Sequence, residues 1–221
     1  MTEIRMHDVE LLPERTLGGP VDAEPLRGRL TFGWDVLPGD HEAAPAEWPA
    51  YVKATPDREF RQLLMVCSFR PETPESRGTF RHASLGIALS VPDGAARPVA
   101  RLIEPGERTR SLASTGGLNF TVKAGVLDLG VEKPAGAESV REEWVVRGHG
   151  ASQPNPQWEF RGVRRVPLTG DHPVAALVEL VPGQVNTAEV VVAAELEHRS
   201  WGVRRYRARL EREPHSIVLA G

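Results

Sequence analysis

Two stretches of the chain read Leu-x-Gly-Asp-His: LPGDH over Leu37–His41 and LTGDH over Leu168–His172. Aspartate carboxylates and histidine imidazoles both ligate metal ions. Asp40, His41, Asp171 and His172 together would make a four-ligand site for zinc or a transition metal. Adjacent residues on an extended strand point to opposite faces, which sets each aspartate against its own histidine. Glycine takes positive φ readily and aspartate bonds its own backbone in turns. The triplets are therefore expected to be two turns spelled alike, with a metal-binding module or metal-dependent enzyme as the alternative. The second turn is expected to lead through Pro173 into a strand beginning at Val174.

Three other groups of residues could carry function. The C-terminal stretch holds Arg199, Arg204, Arg205, Arg207, Arg209 and Arg212, with Trp201 near its middle. Arginine and tryptophan are the residue types that anchor interfaces, so Arg199, Trp201, Arg204, Arg205, Arg207 and Arg209 form the expected interaction surface. A solvated charged face is the plainer account of such a run. Trp34, Trp144 and Trp158 fall on apolar strand faces and are expected in the core. Trp48 and Trp201 fall in loop or turn contexts, and in a sugar- or small-ligand-binding alternative they form an aromatic platform. Finally, RGHGASQPNPQWEF sets His149 three residues before Ser152. It does not match the Gly-x-Ser-x-Gly elbow, and no strand–turn–helix context surrounds it, so no nucleophile is assigned there.

Gly33-Trp34-Asp35, within FGWDV at residues 32–36, resembles a signature of the tellurite-resistance β-sandwich family. That resemblance implies an acidic calcium-binding run downstream, where this chain has LPGDHEAAPAEW instead. No calcium site is carried over. The chain has no phosphate-binding glycine loop, zinc-finger spacing or paired catalytic carboxylate motif, so no cofactor is expected.

Composition bounds the class. The formal net charge is −3, which argues against a general nucleic-acid binder. Lys53, Lys123 and Lys133 are the only lysines among 27 basic residues, as in a GC-rich coding sequence. Charge is lopsided along the chain. Residues 1–60 carry 6 basic and 12 acidic side chains, and residues 199–221 carry 6 basic and 2 acidic. Cys67, the single cysteine, sits in LLMVCSF and is expected to be buried and inert. No apolar run reaches the length of a membrane span and no hydrophobic signal core is present, so a cytoplasmic location is expected.

The elements that must position these residues are strands. Gly and Pro, 21 and 19 in number, punctuate 221 residues at intervals too short for long helices. Between them, period-two alternation marks half-buried strands. In GRLTFGWDV, Leu30, Phe32, Trp34 and Val36 share a face, and in ASLGIALSV so do Leu85, Ile87, Leu89 and Val91. RQLLMVCSF is apolar on both faces, as in a central strand. PVARLIE, NFTVKAGVLDLGVEK, EEWVVRG, QWEFRG and PVAALVELV supply more. Near the C-terminus a hairpin turning at Ser200–Gly202 pairs Glu195 with Arg207, Leu196 with Tyr206, Glu197 with Arg205 and Ala194 with Ala208. Both faces become complementary in that one register.

The fold class expected is all-β: an antiparallel sandwich of roughly nine to eleven short strands, in one domain over residues 1–221. A long irregular loop near 38–59, with room for one helical turn, wraps it. Any split into two domains falls near 132–138. The function expected is non-enzymatic: a protein–protein interaction or self-assembly module with an acidic N-terminal and a basic C-terminal surface. The partner is a protein or a second copy, not a membrane and not nucleic acid.

Overall fold

The computed structural model describes residues 5–9, 28–42, 45, 47–71, 78–92, 96–114, 139–163, 166–199, 203–208 and 215–220. The fold is all-β, two antiparallel sheets packed face to face. Twelve strands are described: β1 (Arg5–Val9), β2 (Gly28–Pro38), β3 (Phe60–Pro71), β4 (Gly78–Ser90), β5 (Val99–Glu104), β6 (Glu107–Ser114), β7 (Ser139–His149), β8 (Gln157–Arg161), β9 (Gly170–Glu179), β10 (Asn186–Arg199), β11 (Val203–Ala208) and β12 (His215–Ala220). The smaller sheet runs β1-β2-β3-β9-β5, and the larger runs β11-β10-β4-β8-β7-β6, with β12 also on β10.

The alternating segments pack as their patterns require. Leu30 and Phe32 of β2, Leu85, Ile87 and Leu89 of β4, and Val190, Val192 and Ala194 of β10 are buried in one core between the sheets. That core draws on residues from Leu30 to Leu219. The stretch 132–138 and the strands expected in NFTVKAGVLDLGVEK lie outside the described residues. β3 is central, between β2 and β9. Cys67 on it is fully buried, and burial pushes its thiol up to about 12.

β10 pairs with β11 in the expected register: Ala194 opposite Ala208, Glu195 opposite Arg207, Leu196 opposite Tyr206 and Glu197 opposite Arg205. β10 is 14 residues long. β4 runs along one side of it, while β11 and β12 lie end to end along the other.

Residues 38–59 are more ordered than a long irregular loop. They contain a helix, α1 (Glu47–Ala54), of 8 residues. Glu47 in its first turn and Lys53 in its last complement the helix dipole. Pro49 falls early in the helix, where a missing N–H is tolerated. At the far end the Thr55 hydroxyl donates to the Tyr51 carbonyl at 2.9 Å, and Pro56 follows. α1 lies against the smaller sheet, where Trp48 packs with Phe60, Ala175 and Leu177 in a second cluster. This explains why Val174–Val178 of β9 are buried without alternation. One face meets the other sheet and the second meets α1.

Candidate functional site

The two Gly-Asp-His segments do not meet. Along β3, Pro38 pairs with Arg61 while His172 pairs with Cys67. Six residues of strand therefore separate them, about 20 Å at roughly 3.3 Å per residue. Asp40, His41, Asp171 and His172 are not brought into one site. Among the described residues no group of three or more His, Cys, Asp or Glu side chains could hold a metal ion.

The first triplet is a turn. The His41 N–H donates to the Pro38 carbonyl at 3.1 Å. The buried Gln62 fastens the turn from below, its Nε2 donating to the Gly39 and His41 carbonyls at 2.9 and 2.8 Å. Gly39 is required there, because a Cβ would fall 2.6 Å from Phe60 Cβ. Asp40 and His41 are exposed.

The second triplet corrects the expectation of a turn. Gly170 has φ +84°, but Gly170, Asp171 and His172 already belong to β9 and pair with Phe69, Ser68 and Cys67. Asp171 and His172 diverge as neighbours on a strand must. A hydrogen bond from Ser68 and the Arg70 guanidinium, 3.3 Å away, hold the Asp171 carboxyl below the usual carboxylate range. His172 packs edge-on against Phe69 and Phe160, with ring centroids at 5.5 and 5.7 Å. Its Nε2 lies 3.2 Å from the Thr169 carbonyl, which can only accept, so Nε2 carries the proton. Burial first, and the charge of Arg108 as well, push its pKa below the ordinary histidine value.

The tryptophans divide differently from the expectation. Trp158 is fully buried and Trp34 packs against the core. Trp48, expected in a loop as part of an aromatic platform, is 1% exposed beneath α1 and cannot present a face to a sugar. Trp144, expected in the core, is outside it. Arg147 lies over one side of the ring system at 4.9 Å, and Arg161 lies over it at 5.5 Å. The cause is a bulge. Arg108 pairs with Val146 and Thr109 with Trp144, leaving Val145 without a partner on β6. One extra residue reverses the facing of everything before it. Trp144 thus joins Arg147 on the outer face, while Val145 stays against the core.

The same bulge helps to form a cleft that the sequence did not announce. It opens at the margin of the larger sheet, encloses about 110 Å³, and is lined by Arg110, Val145, Arg161, Val163, Thr169 and His172 among others. Arg110 and Arg161 make no ion pair among the described residues, unlike Arg147, which lies 2.8 Å from Glu107. Glu143 stands opposite Arg110 in the β6–β7 register.

The arginine-rich surface is partly described. Arg199 ends β10 opposite Val203, and Arg204 pairs with His198. Arg205 and Arg207 stand opposite Glu197 and Glu195. Trp201, Arg209 and the turn at Ser200–Gly202 lie outside the described residues. The loop after β7 is a backbone clasp. Ala100 N–H donates to the Gln153 carbonyl, Ser152 N–H to Ala100, and Leu89 N–H to Pro154. His149 and Ser152 are both exposed on it.

No protein-family model matches the chain, and no curated protein matches it in sequence. Among solved structures, it is similar to the Clostridium perfringens delta-toxin, with 8% identity and a TM-score of 0.30 over 97% of this chain and 87% of that one. A structure titled "Pore forming protein" gives 5% identity and a TM-score of 0.27 over 97% and 89%. At these scores the likeness carries no argument about what this chain does. No described helix is long and apolar enough to cross a membrane.

Proposed function

We propose that the protein is a non-catalytic interaction module that associates with further copies of itself edge to edge, in a reducing, cytoplasmic setting. The carrying observation is where the two charge poles fall. β11, with Arg204, Arg205 and Arg207, is paired on one side only among the described residues and forms an outer edge of the larger sheet. β1, within the acidic N-terminal sixty residues, is likewise the outer strand of the smaller sheet. An open edge offers unpaired N–H and C=O groups to another strand. β11 carries three arginines and no carboxylate, while β1 balances Arg5 with Asp8 and the acidic excess lies elsewhere in residues 1–60. A basic edge meeting that acidic region favours a heterologous, head-to-tail contact over pairing of like edges.

The experiment is sedimentation velocity across a concentration series, at low and high salt. Wild type is expected to gain mass with concentration and to lose it as salt screens the contact. Replacing Arg204, Arg205, Arg207 and Arg209 by glutamine should abolish the gain. A wild type and variant of identical mass at every concentration would sink the electrostatic contact.

A further inference from the structure

The two sheets differ in what lies outside them. On the smaller sheet α1 covers the outer face, and Trp48 packs there on Ala175 and Leu177. On the larger sheet no described helix or strand lies over the outer face of β4 and β10. The registers fix which residues stand on that face. Ala188, Val190 and Val192 of β10 are in the core, so Thr187, Glu189, Val191 and Ala193 point outward. Their partners on β4 are Ser90, Ala88, Gly86 and Ser84. On β12, Val218 pairs with Thr187 and Ser216 with Glu189.

Val191 and Val218 on this face, with Val185 in the connection before β10, are the large hydrophobic residues exposed among the described ones, at 57%, 61% and 45%. Exposed apolar side chains gathered in one place mark a contact surface. The hydroxyls beside them are already satisfied. Thr187 Oγ1 donates to the Ser90 carbonyl at 3.2 Å and lies 3.0 Å from Ser90 Oγ. Covering them strands no donor.

The face carries its own complement. Val191 stands directly opposite Gly86. The space over Gly86 is open, since a Cβ there would meet only the Val191 carbonyl, at 4.0 Å. A knob and a hollow therefore lie side by side on adjacent strands. A two-fold axis along the seam between β10 and β4 seats Val191 of each copy over Gly86 of the other. An unrelated partner would have to supply both halves of that fit, whereas a second copy supplies both. The area suffices as well. β10 is 14 residues long, about 46 Å, and with β4, β8 and the β11–β12 line abreast it gives a face about 19 Å wide, roughly 900 Å² in plan. A stable interface buries about 800 Å² on each partner.

We infer that the outer face of the larger sheet, centred on Val191 and Gly86, packs against the same face of a second copy to form a dimer. An isologous contact of this kind closes at two chains. Glu189 is the one charge in the central rows, and covering a carboxylate costs free energy. Apolar contact therefore carries the association, and salt does not dissolve it. The inference goes beyond the salt-sensitive contact through β11: the dimer is the unit that such a contact would extend.

The test is sedimentation equilibrium of the full chain at about 1 M salt, where charge contacts are screened within about 3 Å. Wild type should sediment as a dimer. Val191→Glu should halve the mass and, because Val191 is exposed, keep the wild-type circular dichroism. Gly86→Val adds apolar area to the face but fills the hollow, and the single chain has room for it. It should halve the mass too. Replacing Arg204, Arg205, Arg207 and Arg209 by glutamine should leave the dimer intact. A wild-type monomer, a V191E dimer or tighter association in G86V would each overturn the face contact, and a wild type larger than a dimer would overturn its two-fold closure. The two associations fail separately. An arginine variant that grows with concentration as wild type does at low salt sinks the β11 contact and leaves this dimer. A wild type that is monomeric at high salt sinks the dimer and leaves the β11 contact.

Discussion

Replacing Trp48 by alanine separates a structural helix from a ligand platform. Trp48 is 1% exposed and packs with Phe60, Ala175 and Leu177, flanked by Tyr51, Val52, Leu64 and Leu102. A buried tryptophan removes about 150–250 Å² from water. At about 25 cal/mol per Å² that is roughly 4–6 kcal/mol, part of which alanine retains. The cavity left under α1 adds to the loss, and substitutions of this kind cost about 3–5 kcal/mol. A domain of this size is stable by about 5–15 kcal/mol in all. W48A should therefore lose about a fifth or more of its stability. Urea unfolding followed by far-UV circular dichroism measures this, because the substitution itself disturbs fluorescence. The midpoint should fall while the slope stays that of a cooperative transition. A loss below about 1 kcal/mol would show that α1 does not bury the outer face of β9, and the tryptophan would again be free to meet a ligand.

Other perturbations test other parts of the molecule. Asn186 is buried and ties the β9–β10 connection: Val181 N–H donates to its Oδ1 at 2.8 Å, and its Nδ2 donates to the Val181 and Gln184 carbonyls at 3.1 and 2.8 Å. Asn186→Ala should cost about 2–4 kcal/mol by thermal or chemical denaturation, and a neutral substitution would mean the connection holds without it. Glu179 takes hydrogen bonds from Arg101 and Arg58; burial alone would raise its pKa, but these two bonds bring it below 4.5. A depressed carboxylate stabilises the fold above its unfolded pKa, and that contribution disappears as pH falls through the folded value. Glu179→Gln should cost about 1 kcal/mol at neutral pH and flatten the decline of stability below about pH 5; an acid profile identical to wild type would count against the pairing. Cys67, with its thiol pushed up to about 12, should resist a disulfide reagent at pH 8 in the native state and react at once in denaturant. Native-state modification at the unfolded rate would contradict its burial.

The strand pattern and one hairpin register were legible because each depends on neighbours in sequence. Alternation in GRLTFGWDV and ASLGIALSV marks a buried face whatever lies opposite. In the β10–β11 hairpin, charge and hydrophobicity admit one pairing, and the chain adopts it. Two features were hidden, each because it depends on a long-range partner. α1 shows little apolar pattern of its own, and what makes it part of the fold is Trp48 reaching Leu177 of β9 far along the chain. Val145 looks like one more alternating residue, and only the mismatch with β6 makes it a bulge that turns Trp144 outward.

The repeated Gly-Asp-His shows why spelling decides so little. The first triplet has Gln62 beneath it and bends. The second has β3 beside it, and pairing with Phe69, Ser68 and Cys67 extends the same three residue types into strand. Their side chains then serve unrelated ends: Asp171 meets Ser68 and Arg70, while His172 turns between Phe69 and Phe160. The positive charge that acts on His172 comes not from its own motif but from Arg108, on a strand far upstream.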